Sequence, residues 1–193
     1  MKIYVEVKDL ESLYDFVNKK SVNNSLEGIY VCKRNGLLNM VATDGRALMV
    51  LERELNADEV LDDNESVIIP QTNFYKKTKQ VIRIDTRKGE NCTEIVMTKV
   101  DKNGQSQMVL PNIEGNYPYY SQVMVEEKEE NKYDVFIPIS IDYLVKAQKV
   151  IGKEIYHIPY SQGGADKAKT GTKMWTLDNG IIKYYIVVMP VIP

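Results

Sequence analysis

The feature that most constrains this chain is a repeat. "VIIP" at 67–70 and "VFIP" at 135–138 each lead to a tyrosine eight positions from their start, Tyr75 and Tyr143. A lysine-bearing stretch ending in Val-Ile follows in both cases. Such self-similarity means one supersecondary unit used more than once, each copy burying its apolar face against its neighbours. A more diverged copy precedes them. "KIYVEV" alternates as a strand, and Leu10, Leu13, Tyr14 and Val17 then fall at helical i, i+3, i+4, i+7 spacing. Three β-rich runs, "LEGIYVCKR", "GLLNMVAT" and "RALMVLEREL", complete the unit, separated by Asn35-Gly36 and Asp44-Gly45, which predict hairpin turns. The reading is an α+β chain of repeated strand-helix-strand-strand-strand units, with helices on one side and antiparallel sheets on the other. Residues 1–125 then hold a complete domain of two units, and 126–193 a half domain of one unit that needs a partner.

Composition narrows the class. With 44% hydrophobic residues in 193, the chain can bury a sizeable core. No window approaches 18 consecutive apolar residues, and "MKIYVEVKDLE" has neither a long apolar region nor a small-residue cleavage site, so the expectation is a cytoplasmic protein with no membrane partner. Cys32 and Cys92 lie in separate strand-like runs without CxxC spacing, which suits reduced, half-buried thiols. A net charge of −2 supplies no global basic field. Acidic residues concentrate at 52–65 and 126–130, two polar stretches read as exposed connections.

Lysines gather on the expected helices. On a helical wheel Lys146, Lys149 and Lys153 oppose Ile141, Leu144, Val145 and Ile151, and Lys76 and Lys79 oppose Phe74, Val81 and Ile82. Two readings stand side by side. Lysines near helix C-termini complement the helix dipole in solvent, or their repetition makes a surface for sequence-independent contact with the phosphates of double-stranded DNA.

Signals for chemistry are weak. His157, the one histidine, sits in the strand-like "EIYHIPYS" with no nucleophile motif beside it. "SQGGADKAKTGTK" lacks the strand, GxxxxGK[ST] and helix order of a phosphate-binding loop and reads as a hairpin connection. Asp44 has no second carboxylate at ligand spacing, and turn capping accounts for it. Trp175 and the tyrosines alternate with apolar residues as sheet side chains do. The expectation is a binding protein rather than an enzyme, with no catalytic residue, metal or cofactor.

Three stretches carry a resemblance that covers nearly the whole chain. "VATDGRAL", "NYPYYSQVM" and the terminal "YIVVMPVIP" resemble, in this order, motifs of the bacterial sliding clamp, the beta subunit of DNA polymerase III. The resemblance implies helices lining a central hole, sheets outside, and a groove on one face that takes short motifs from polymerases and other clamp-binding proteins. Carried over by position, that groove comprises Leu26, Thr43, Arg46, Ala47, Leu48, Pro118, Gln122, Val123, Val187, Met189, Pro190 and Val191. Lys76, Lys79, Lys146, Lys149 and Lys153 would then face DNA. A DNA polymerase, a clamp loader and further copies of the chain are the implied partners.

The chain departs from the family in two ways. Arg46-Ala47 stands where the family's turn has His-Arg, and Gln122 where arginine is frequent, so the polar contacts of the groove change. The family subunit has six units and two subunits close a ring of twelve, whereas three units per chain cannot close that ring in pairs. Two functions therefore remain: a clamp-like processivity factor, or a non-ring module from a phage or mobile element that competes for clamp-binding motifs.

Overall fold

A computed structural model describes residues 1–18, 24–76, 81–101, 104–125, 127, 139–152, 160–161 and 172–189. The first unit forms as its periodicities predict. β1 (Lys2–Glu6) runs directly into α1 (Val7–Phe16), and β2 (Gly28–Arg34), β3 (Leu37–Thr43) and β4 (Ala47–Arg53) follow. α1 buries Leu10, Leu13, Tyr14 and Phe16, and Val17 ends it by turning extended. At the β2–β3 hairpin Asn35 and Gly36 both take positive φ, 52° and 81°, as a type I′ turn requires. Cys32 and Cys92 are free and half-buried.

The second unit repeats the strands, and among the described residues before β6 only a turn is seen. β5 (Ser66–Pro70), β6 (Val81–Lys88), β7 (Thr93–Asp101) and β8 (Gly104–Pro111) are present. Val81 and Ile82, expected on a helix with Phe74, instead open β6 and pair with Glu6 and Val5 of β1. Both are β-branched, and the strand buries Ile82 while leaving Val81 outward. Before them stands a single turn, closed by the Lys76 N–H donating to the Asn73 carbonyl at 3.1 Å. Thr72 Oγ1 accepts the Phe74 N–H at 3.1 Å and fixes its start. Lys99 of β7 holds the turn from below: its ammonium donates to the Phe74 carbonyl at 3.1 Å and lies over the Phe74 ring. Tyr75 then stacks on Tyr14 of α1, centroids 5.4 Å apart.

The third unit contributes α2 (Ile141–Ile151), β9 (Tyr160–Ser161), β10 (Lys173–Asp178) and β11 (Ile182–Val188). Here the wheel predicted the buried face only in part, with Ile151 in the core and Leu144 packed against it. Ala147 and Ile151 are buried, but Ile141 and Val145 are 74% and 50% exposed. The reason is long-range: Lys146 places its ammonium over the rings of Phe16 and Tyr143, so α2 turns its lysine edge toward α1.

Two antiparallel sheets result, ordered β1-β6-β7-β8 and β5-β2-β3-β4-β11-β10-β9. The first two units exchange their first strands. β1 joins the second unit's sheet, from Lys2↔Asp85 to Glu6↔Val81, and β5 joins the first unit's, from Gly28↔Pro70 to Cys32↔Ser66. The third unit continues the first unit's sheet, because β11 pairs with β4 through seven residues. The main core gathers inward side chains of both sheets with α1 and α2, among them Ile3, Leu13, Met40, Ile69, Ile84, Met97 and Ile186. Each such side chain contributes about 1.5–3 kcal/mol by leaving water.

The acidic stretch at 52–65 is not wholly an exposed connection. Its Glu59 carboxylate is fully buried, receiving the Arg53 guanidinium at 2.6 and 2.7 Å and the N–H groups of Tyr4 and Asn56 at 2.6 and 2.7 Å. Burial alone would push this carboxyl up; the guanidinium and amides overcome it and hold it below the usual range. Arg53 also donates to the Tyr4 carbonyl at 2.8 Å, so β4, β1 and the 54–60 connection are clasped at one point.

Candidate functional site

The β3–β4 connection is built by its own side chains. Asp44 Oδ1 accepts the N–H groups of Arg46 and Ala47 at 3.0 and 2.9 Å, and Gly45 supplies a φ of 88° that other residues rarely adopt. Thr43 Oγ1 donates to the Ala47 carbonyl at 2.7 Å and accepts the Gly45 N–H at 3.0 Å. The remaining Asp44 oxygen faces Lys146 of α2 at 3.6 Å. Tyr143 beside it is pushed up to about 12, by burial first and then by the Asp44 charge and hydrogen bond.

Strand alternation separates the two residues after the turn. Ala47 faces the main core, whereas Leu48 faces outward into a second apolar cluster with Val41, Val50, Val125, Met174 and Val187. Of the carried-over groove residues, Ala47 is therefore on the opposite side of the sheet. Thr43, Leu48, Val187 and Met174 are successive cross-strand neighbours on β3, β4, β11 and β10. Such same-face neighbours are the basic packing unit of a sheet. The Met189 N–H donates to the Arg46 carbonyl at 2.9 Å, which brings the tail alongside the turn. Leu26 is tied in through Asn18, whose N–H donates to the Leu26 carbonyl and whose side chain reaches the Asp44 carbonyl at 3.5 Å. Pro190 and Val191 lie outside the described residues.

A segment after β8 crosses this outer face. Tyr117 stacks on Tyr30 with centroids 4.8 Å apart and donates to the Val41 carbonyl at 3.3 Å. Tyr120, at the start of a short 3-10 turn, donates to Asn39 Oδ1 at 3.1 Å and lies under the Arg34 guanidinium. Burial first, then the neighbouring Cys32, push its hydroxyl up to about 12. Val123 and Met124 pack on the cluster, and Glu127 ends the crossing by pairing with Lys183 of β11 at 2.6 Å. The face is left with a cleft of about 470 Å³ lined by Asn39, Val50, Glu52, Tyr120, Met124 and Tyr185. Pro118 is displaced from this group and lines a separate cleft of about 350 Å³ against Arg34 and Ser66.

Leu48 and Val187 are only 3% and 1% exposed. Arg46 and Gln122 are exposed, and Leu26, Val123 and Met189 half-buried. Sequence reasoning missed Val41, Val50, Met174 and Tyr185. Period-2 alternation from Leu48 and Val187 reaches Val50 and Tyr185 and was the available signal.

The lysines expected to face DNA are partly engaged within the chain. Lys149 donates to Asp15 of α1 at 2.8 Å and Lys146 faces Asp44. Lys76 is exposed, while Lys79, Lys153 and His157 lie outside the described residues.

No family sequence model and no curated protein sequence matches this chain. Solved structures do. A Helicobacter pylori beta clamp in complex with diflunisal superposes with a TM-score of 0.70 at 13% identity, over 100% of this chain and 66% of the clamp chain. A Bartonella birtlesii sliding clamp bound to griselimycin gives 0.68 at 14%, over 100% and 66%. A Helicobacter pylori beta clamp bound to a DNA ligase peptide gives 0.68 at 14%, over 99% and 65%. With its exchanged first strands and its third unit sewn onto β4, this chain carries the fold of the bacterial sliding clamps, the beta subunits of DNA polymerase III, and spans about two thirds of their length.

Proposed function

We propose that the chain is a sliding-clamp-like processivity factor that tethers a DNA polymerase, or another protein with a clamp-binding motif, by seating a short apolar peptide at the β4–β11 junction. The observation that carries this reading is the assembly of Thr43, Leu48, Val187 and Met174 in one cross-strand row beside Arg46 and Met189, from segments far apart in sequence. Apolar walls with adaptable methionines and a few polar groups at the rim suit a linear motif held by a few anchors. An entering peptide meets the accessible Arg46, Gln122, Val123 and Met189 first. Pro118 would border a neighbouring cleft rather than this wall, Pro190 and Val191 would complete the tail, and Lys76, Lys79, Lys146, Lys149 and Lys153 would approach duplex DNA. A clamp loader and further copies of the chain belong to the same proposal.

One observation favours the second reading, a non-ring module that competes for clamp-binding motifs. Lys146 and Lys149 already face Asp44 and Asp15, so α2 presents less free positive charge to phosphates than its sequence suggests.

The deciding experiment titrates wild type, Arg46→Ala and Met189→Ala with a synthetic clamp-binding peptide from a bacterial DNA ligase, with thermal melts as folding controls. Saturable binding that weakens about tenfold in Met189→Ala, with an unchanged melt, supports the groove. No binding, or equal binding by all three proteins, overturns it. Duplex DNA titrated against salt separates the two functions. The processivity factor loses affinity and salt slope in Lys146→Gln/Lys149→Gln, whereas the competitor binds no duplex even as wild type.

A further inference from the structure

We infer that residues 117–125 with Glu127 form a hinged strap over the β4–β11 junction, held shut by the Glu127–Lys183 ion pair, and that a peptide seats there only when the pair opens. The inference rests on the groove proposed above and adds how access to it is controlled. A ligand cannot rest on side chains that have no free surface. Leu48 and Val187 are 3% and 1% exposed, and Met174, next in the same cross-strand row, is fully buried. Val125, itself 7% exposed, belongs to this cluster, and Val123 and Met124 pack against it. The chain's own side chains thus stand where the apolar anchors of a peptide would.

The two ends of the strap are fastened differently. At its start Tyr117 is stacked on Tyr30 and donates to the Val41 carbonyl, while Tyr120 donates to Asn39. Burial pushes both hydroxyls up, so this end is docked by neutral, desolvated contacts and serves as the hinge. At the other end one ion pair does the holding. Lys183 Nζ donates to Glu127 Oε2 at 2.6 Å, with the two side chains 27% and 29% exposed. Pairs open to water to this extent contribute little and are screened by salt.

The surroundings of the pair suit a second arrangement. Between the strap and the sheet lies the cleft of about 470 Å³, to which Val50, Glu52 and Tyr185 contribute from the strands and Met124, Val125 and Glu127 from the strap. The strap stands off the sheet here, so the ion pair holds it where packing does not. When Glu127 leaves, Lys183 keeps the Tyr185 ring, 5.1 Å from its ammonium, and has Glu52 directly across the strand pair. Opening therefore strands no buried charge. Because only the open fraction accepts a ligand, the pair lowers the apparent affinity of the groove by that fraction.

The test compares wild type, Lys183→Gln and Glu127→Gln, with thermal melts as folding controls. Dilute hydrogen peroxide oxidises accessible methionine, and mass spectrometry reads each site separately. Met174 reports the strap, while Met40 and Met97, fully buried in the main core, report general loosening. The expected result is oxidation of Met174 several-fold faster in either variant, with Met40, Met97 and the melts unchanged. Wild type in about 1 M salt, where screening acts within about 3 Å, should approach the variants. The DNA ligase peptide should bind both variants about two- to fivefold more tightly than wild type. Met174 oxidation that ignores both substitutions, or that rises together with Met40 and Met97, overturns the inference. So does peptide binding that is equal in all three proteins or weaker in the variants. If no protein binds the peptide, the groove falls, and the Met174 rate alone decides whether the strap opens.

Discussion

The first and second units have the same strand plan and exchange their opening strands, yet they are finished differently. In the first, α1 completes the helical layer and β4 is buried from Ala47 to Leu51. In the second, the described residues before β6 show a turn at 73–76, and β8 alternates between exposed and half-buried along most of its length. The repeat fixes how strands pair, while the burial of the last strand is set separately in each copy. A last strand becomes core only when another unit docks against it.

Breaking matched contacts in the two units should expose this difference. Arg53→Ala leaves the buried Glu59 carboxylate without its cation and should cost about 3–5 kcal/mol. Thermal melts should then fall by roughly 10 °C, at about 2–4 °C per kcal/mol for a chain of this size. The counterpart in the second unit, Arg87→Ala, breaks an exposed pair with Glu94 and should cost under about 1 kcal/mol. Equal losses would show that the clasp at Glu59 is not special to the first unit.

Truncations on the outer faces come next. Leu48→Ala empties a site that is 3% exposed and should cost about 2–4 kcal/mol, whereas Val109→Ala at 45% exposure should change stability by no more than about 0.5 kcal/mol. Urea titrations read both. If Val109→Ala matches Leu48→Ala at low protein concentration, the second unit is more tightly covered than the fold indicates.

The smallest effect is a pH dependence. Glu59 is held below its ordinary value of 4.5 in the folded chain, so its stabilisation is present above that pH and is lost as pH falls. Asp9 runs the other way. Burial, only partly offset by the Tyr184 hydroxyl donating at 2.9 Å, raises it above 3.8, so its contribution is complete below that value and lost as pH rises through the raised one. The melting difference between wild type and Glu59→Gln should therefore be widest at neutral pH and shrink below about pH 4.5. A constant difference would remove the Glu59 charge from the clasp.

Local signals carried the first unit: helical spacing placed α1, and Asn35-Gly36 and Asp44-Gly45 placed its turns. What failed needed distant partners. Nothing near Val81 and Ile82 announces that β1 will claim them as a strand, and nothing near Lys146 announces Phe16 or Asp44. Glu59 looked solvated because Arg53 and Tyr4, which bury it, are separated from it by a loop and by a different element. At the site, the motif residues gave Thr43, Leu48, Val187 and Met189 together, but not the Ala47 reversal, the displacement of Pro118, or the way Tyr117 and Tyr120 close over the sheet.

The exchange of first strands has a consequence for the order in which the chain can fold. Met1 to Arg53 are made before the second unit, with α1 and the β2–β4 hairpins able to form at once, yet β1 finds its ladder only when Val81 to Asp85 arrive. Loop closure over that span is slow compared with hairpin formation. Until then Ile3 and Val5 have no β6 to pack beside, and the nascent protein carries an apolar strand awaiting a mate some eighty residues downstream.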